Sequence, residues 1–333
     1  VYKRQGRDRA EHAGSDPRRC ASVVARLSSS LMRVVVIGGA GFIGSHLVDR
    51  LLAEGHEVDV IDDLSTGSLG ALADARASGG SLKIHHLDAT SADADTLIGM
   101  RSPEVVYHLA LVPRGRHTAP EYATGFAAAL TTLEACRRHR VSKVVVTLPA
   151  SAMYGQPSVS SLPAKEGELE PRGVRGVVSR AIVDLLTTYR EQHAIEFTAL
   201  AMATVYGPRQ RPEGGVVAAV EHAAATGTAA TIEGDGRQTR DLVFVDDAVD
   251  ALVKAGERGS GLLVNVGTGE QTSLRDLWAM VSDGRVVMAQ VSAPPRPDDL
   301  VRFAVSPVRA RIHLQWSPWT EVATGLARLR EGA

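Results

Sequence analysis

Three glycines spaced three residues apart carry the clearest chemistry in this chain. Gly38-Gly39-Ala40-Gly41-Phe42-Ile43-Gly44 follows the β-branched run Val34-Val35-Val36-Ile37 and leads into an amphipathic stretch through Leu47, Val48, Leu51 and Leu52 to Gly55. Strand, glycine turn and helix in that order make a cradle for phosphate. Gly38 permits the tight turn, Gly41 lets backbone approach a pyrophosphate, and Gly44 permits close helix packing, with the anion on the helix N-terminus. A glycine turn alone would be weak evidence; its flanking strand and helix give it weight. The next strand-like segment, residues 57–61, ends in Asp62-Asp63. A carboxylate at that tip accepts hydrogen bonds from ribose hydroxyls and repels a 2′-phosphate, so Asp62 favours NAD over NADP.

The elements that must position this turn follow a regular alternation. Strand patterns at residues 82–88, 105–110 and 143–148 are separated by helical stretches, one at 120–139 and one from about 177 to 193. Such alternation predicts an α/β fold with a Rossmann-type, doubly wound parallel sheet. Proline-bearing stretches at 157–171, 208–212 and 294–297 read as loops, and loops above the strand carboxyl ends line the site in this architecture.

Composition excludes several function classes. The chain has 333 residues, 44% of them hydrophobic, and 37 basic against 38 acidic residues. That balance gives no footprint for nucleic acid or an anionic membrane. No apolar run reaches the ~18 residues a membrane span needs. Cys20 and Cys136 make no metal spacing and fit a reducing, cytoplasmic setting. No metal is expected. Residues 1–31 hold seven basic and three acidic residues with no sustained apolar period. They read as a disordered extension, or as sequence translated ahead of a start at Met32, rather than as an acid-poor targeting segment.

From Met32 to about residue 327 the chain resembles the extended short-chain dehydrogenase/reductases of the NAD-dependent epimerase/dehydratase family, of the UDP-glucose 4-epimerase kind. The glycine turn has that family's spacing. Further matches are Tyr206-Gly207-Pro208, Asn265-Val266-Gly267-Thr268-Gly269, the stretch from Gly234 through Arg240 to Asp247, and Pro295-Arg296-Pro297-Asp298-Asp299-Leu300. The resemblance implies a cofactor site of Gly38, Gly41, Phe42, Ile43, Gly44, Asp62 and Asp63, with Asp88 near adenine and Leu109 and Ala110 beside the cofactor. It implies a diphosphate clamp of Arg240 and Arg296, the latter held by Asp299, since paired guanidinium forks suit a diphosphate. Thr204 stands where the family has a substrate-facing Asn. The implied organisation is a cofactor domain at 32–205, to which 241–269 returns, and a substrate domain from 206–240 and 270–330.

The same resemblance exposes a loss. Where the family carries Pro-x-Ser-Pro-Tyr-Gly-x-Ser-Lys, this chain reads Pro171-Arg172-Gly173-Val174-Arg175-Gly176-Val177-Val178-Ser179. Between the flanking anchors Pro171 and Tyr206-Gly207-Pro208, Arg175 takes the tyrosine position and Ser179 the lysine position. A one-residue slip gives Gly176 and Arg180 instead. The family's hydroxyl position falls on Ala150, with Ser151 adjacent, and its Asn position falls on Gly125. Arginine stays protonated and offers only donors, so it cannot act as the base. His117 and Tyr154 are the remaining candidate bases, whereas His108 is expected to pack within its strand end.

The expected protein therefore binds NAD and a nucleotide-diphosphate sugar, most readily UDP-linked, and is catalytically impaired or uses a non-standard base. The rival expectations are an active nucleotide-sugar 4-epimerase and a non-enzymatic, NAD-liganded sensor or partner subunit. A homodimer fits the resemblance; no nucleic-acid or membrane partner is expected.

Overall fold

Residues 34–37 are buried on every side, so this strand needs helices both above and below it. The computed structural model describes residues 31–110, 118–167, 169–229, 231–282, 291–293 and 300–331, and the compact unit spans Leu31–Ala333. Its strands in chain order are β1 (Arg33–Ile37), β2 (Glu57–Asp62), β3 (Leu82–His86), β4 (Val105–His108), β5 (Lys143–Pro149), β6 (Glu196–Met202), β7 (Thr204–Tyr206), β8 (Thr231–Glu233), β9 (Thr239–Arg240), β10 (Leu242–Phe244), β11 (Leu262–Val266), β12 (Thr272–Ser273) and β13 (Val291–Ala293). The helices are α1 (Phe42–Ala53), α2 (Ala73–Ala77), α3 (Ala92–Arg101), α4 (Ala119–His139), α5 (Ala150–Tyr154), α6 (Gly173–His193), α7 (Val216–Thr226), α8 (Val245–Glu257), α9 (Leu274–Ser282), α10 (Val308–His313) and α11 (Val322–Glu331).

Among the described residues, seven strands form one sheet in the order β3-β2-β1-β4-β5-β6-β11. Every neighbouring pair in it is parallel. This is the expected doubly wound α/β sheet, with the order reversing between β1 and β4, where ligands of such sheets bind. On one face Val35, Ile37, Val106, Val144 and Val146 pack with Leu133 of α4 and Ile182 and Leu186 of α6. Cys136 is buried in the same layer. The other face is covered by α8, which packs on α1, β5 and β6. Short pairs lie outside the sheet: β7 with β10, β9 with β12, and β8 with β13.

The long helix α6 begins at Gly173, four residues earlier than its apolar pattern predicts. Two glycines in its first turn weaken the helix signal, and packing against α5 replaces what propensity lacks. None of the described helices is long and apolar enough to cross a membrane.

A single buried carboxylate ties the C-terminal segment to this framework. Asp247, in the first turn of α8, is fully buried. It accepts the N–H groups of Trp319 and Thr320 at 3.0 Å each and the Thr320 hydroxyl at 2.6 Å. Its own carbonyl takes the Trp316 indole N–H at 2.9 Å. Asp247→Ala leaves three donors without an acceptor, so it should lower unfolding free energy by roughly 2–4 kcal/mol. Urea denaturation measures this; a change below about 0.5 kcal/mol would show that the knot contributes little.

Candidate functional site

The glycine turn sits between the carboxyl end of β1 and the start of α1. Gly38 adopts φ +80, its N–H bonds the Ile61 carbonyl at 2.9 Å and its carbonyl accepts Gly41 N–H at 3.2 Å. A side chain at Gly44 would overlap the Gly38 carbonyl oxygen, so the helix lies against the turn only because Gly44 has none. A Cβ at Gly38 would press on the backbone of Leu109 and Ala110, with Ala110 N at 3.0 Å. This brings the end of β4 beside the turn. At Gly41 a Cβ would meet only the Gly38 oxygen, at 3.2 Å; the remaining side is open. Gly41 caps α1 without a side-chain bond, so the first-turn N–H groups of a 12-residue helix gather at that opening.

Asp62 at the tip of β2 is 7% exposed and already holds protein. Oδ2 accepts Ala40 N–H at 2.8 Å and Oδ1 accepts Leu64 N–H at 2.9 Å. Burial pushes its pKa up, and the two N–H groups work against that. Each carboxylate oxygen retains a further lone pair, so Asp62 shapes the turn and can still accept from a ribose. Asp63 and Asp88 are exposed and close local turns, onto Ser65 N–H and Oγ and onto Thr90 N–H and Oγ1 respectively. Phe42 stands edge-on to His46, with ring centroids 5.9 Å apart, and Ile43 is half-buried.

The residues expected at the family's catalytic positions include Ala150 and Ser151 on α5 and Arg175 and Ser179 on α6. Ala150 is fully buried and Ser151 half-buried. Arg172 N–H donates to the Ala152 carbonyl at 2.8 Å, and a Cβ on Gly176 would overlap that same carbonyl oxygen. No side chain fits at 176 without a shift of the backbone. Arg175 is half-buried in the first turn of α6. One turn on, Ser179 is 4% exposed and its hydroxyl is committed to the Arg175 carbonyl at 2.8 Å. Gly125 is half-buried within α4.

Of the candidate bases, His117 lies outside the described residues. Tyr154 is buried and donates to Asn265 Oδ1 at 2.8 Å; burial raises its pKa above a free phenol's, which opposes proton abstraction. His108 packs in the end of β4 with Nδ1 3.3 Å from Thr132 Oγ1. Burial lowers its pKa to about 4, so it is neutral at physiological pH.

On the substrate side, Thr204 is half-buried at the start of β7, its N–H on the Asp241 carbonyl at 2.9 Å. Arg240 is 5% exposed, with Nη1 donating to the carbonyls of Thr239 and Leu300, both at 2.8 Å. Arg296 and Asp299 lie outside the described residues, but Leu300 follows them directly in sequence. The neighbouring Asp241 is fully buried and accepts Thr268 N–H and Oγ1, Gly269 N–H and Val305 N–H; burial raises its pKa against those four bonds. Another contact escaped the sequence reading. His46 on α1 bonds the Pro208 carbonyl at 3.0 Å, and Arg209 reaches Asp49 at 2.6 Å and Asp74 at 2.9 Å. The loop after β7 is thus fastened to the helix that starts at the glycine turn. Nothing local in the sequence signals partners 160 and 135 residues away. No cluster of metal-ligating side chains occurs among the described residues.

Comparison with known proteins agrees with this geometry. The family model described as NAD dependent epimerase/dehydratase matches residues 34–267. A UDP-glucose 4-epimerase of Mycolicibacterium smegmatis is 40% identical over 309 residues, covering 90% of this chain and 98% of that one. Among solved structures, UDP-glucose 4-epimerase of Thermotoga maritima with UDP-glucose superposes with a TM-score of 0.85 at 30% identity, covering 90% and 98% of the two chains. The Thermus thermophilus UDP-glucose 4-epimerase complex with NAD gives 0.83 at 30% identity and the same coverage.

The contact between α5 and α6 is open to a test of sign. Gly→Ala inside a helix normally gains ~1 kcal/mol from propensity. At Gly176 the overlap with Ala152 should outweigh that, since overpacking costs about 1–3 kcal/mol or more against rigid backbone. Gly176→Ala should therefore unfold at lower denaturant than wild type. A stabilised variant would mean that the helices are not in this close contact.

Proposed function

The chain belongs to the NAD dependent epimerase/dehydratase family, and from that membership we propose that it binds NAD at the glycine turn and a UDP-type nucleotide sugar beside it, while lacking the family's base. The residues present fit the dinucleotide. The open side of Gly41, the uncapped start of α1 and the Asp62 carboxylate give a pyrophosphate and a ribose the partners they need. Bound NAD supplies a hydride acceptor. On the other side of the crevice, Arg240 is anchored to the segment that continues from Arg296, an arrangement in keeping with a two-arginine grip on the diphosphate.

One observation supports the reading that the base is lost: Gly176 has room for no side chain. It supports the register that puts Arg175 at the tyrosine position and Ser179 at the lysine position. A guanidinium keeps its proton at any physiological pH. The Ser179 hydroxyl is held by a backbone carbonyl and carries no charge that could lower a neighbour's pKa. What remains is binding and orientation without proton abstraction. General-base catalysis is typically worth ~10²–10⁴ in rate.

NAD should bind at least ~10-fold more tightly than NADP, because a 2′-phosphate would bring about two negative charges to a buried carboxylate. Calorimetric titration giving equal or tighter NADP binding would reject the role of Asp62. Asp62→Ala is the poorer probe, since it also releases Ala40 and Leu64 from the turn.

Interconversion of UDP-glucose and UDP-galactose should run at least ~10²-fold below a typical kcat of about 10 per second. Arg175→Tyr with Ser179→Lys should recover part of the lost rate, and either change alone should recover little, because the lysine only activates a tyrosine already in place. Brisk wild-type turnover would contradict the proposal and direct attention to His117.

A further inference from the structure

We propose that Arg209 is a positioning residue that couples the two sides of the crevice, so that a nucleoside diphosphate bound on the substrate side slows the release of NAD from the other. The inference rests on the nucleotide-sugar reading above and adds how the two ligands are linked. Arg209 follows Tyr206-Gly207-Pro208 at the end of β7 and has a backbone φ of +64. A residue with a Cβ is strained in that left-handed conformation, which persists only where surrounding contacts impose it. Those contacts are the guanidinium's own. Nη1 meets Asp49 Oδ2 at 2.6 Å and Nη2 meets Asp74 Oδ2 at 2.9 Å, so one planar fork grips α1 and α2 together. His46 of α1 bonds the preceding carbonyl, that of Pro208, at 3.0 Å. The Asp49 bond is the stronger hold, since the Asp49 side chain is 29% exposed and that of Asp74 84%.

Both gripped elements belong to the side proposed for the cofactor. α1 starts at the glycine turn, and α2 ends the connection that leaves β2 after Asp62. That connection lies against the turn: Ser68 N–H donates to the Ala40 carbonyl at 3.0 Å, and a Cβ on Gly67 would meet Ala40 backbone and Asp62 Oδ1 at 2.9 Å. In the other direction the loop runs through Pro212–Gly214 into α7. α7 packs on α9, and β12, which leads into α9, pairs with β9 where Thr272 faces Arg240. A continuous line of packed elements thus joins the Arg209 guanidinium to the residue proposed for the diphosphate. The element has two arrangements: clasped, with φ positive and both carboxylates engaged, and released, with the backbone relaxed. A ligand on either side that needs its own wall in place favours the clasped arrangement, and by linkage each ligand then favours the other.

Exchange of labelled NAD out of the NAD-loaded protein into excess unlabelled NAD, with and without UDP, tests this. Calorimetry sets a UDP concentration that saturates each sample, and melting curves establish that each variant is folded. In wild type UDP should slow the exchange at least ~5-fold. Arg209→Gln should bring that ratio near one, and Arg209→Lys should keep only part of it, having the charge without the fork. A purely structural role for Arg209 would speed exchange equally with and without UDP and leave the ratio as in wild type. If Arg209→Gln does not fold, Asp49→Asn takes its place with the same expected loss of the ratio. A ratio near one in wild type, or a wild-type ratio in the folded variants, overturns this inference alone. Failure of UDP itself to bind wild type overturns the nucleotide-sugar reading and this inference with it.

Discussion

The backbone of α6 lies against the Ala152 carbonyl of α5 because Gly176 has no side chain, and the chemistry of the crevice depends on that approach. With the two helices in contact, each position of the first turn of α6 has a fixed place at the end of β5. In the proposed register, Arg175 and Ser179 stand where relatives would hold a phenol and an ammonium. A helix one residue out of register would expose a different pair, but only by driving a side chain into backbone.

Buried aspartates hold the rest of the crevice in place. Asp62 joins the tip of β2 to the glycine turn, Asp241 joins the β9–β10 region to residues 268, 269 and 305, and Asp247 joins α8 to residues 319 and 320. Burying a carboxylate is costly unless it is well hydrogen-bonded, and each of these is met by backbone N–H groups. The arrangement lets loops at the carboxyl ends of strands keep fixed shapes without apolar packing. It also means that Asp62 is shared between holding the turn and facing a ligand. His46 and Arg209 extend the same logic by fastening the loop after β7 to α1.

Legibility in the sequence followed the range of the interactions involved. The strand, glycine turn and helix from residue 33 to 53 were readable because three local signals agree: a run buried on both faces, a fixed glycine period and an apolar helix stripe. The sheet followed from the alternation of strands and helices. The start of α6 was read four residues late, because Gly173 and Gly176 weaken propensity where tertiary contact decides the matter. The second role of Asp62 was hidden, since the Ala40 N–H it accepts comes from 22 residues earlier in the chain. The motif around Arg240 is local, but its anchorage to Leu300 exists only once residues 60 apart meet.

The central claim is that binding groups persist while the proton acceptor is gone. Rapid quenching of NAD-loaded protein mixed with saturating UDP-glucose, with the C4 epimer quantified, tests it directly, because the epimer forms only if a hydroxyl proton is removed as hydride passes to NAD and is then returned to C4. With ligand binding established by titration of the same sample, the account predicts no detectable epimer on the timescale of an ordinary turnover. Epimer approaching its equilibrium share within that time would show that a working base remains, and would contradict it.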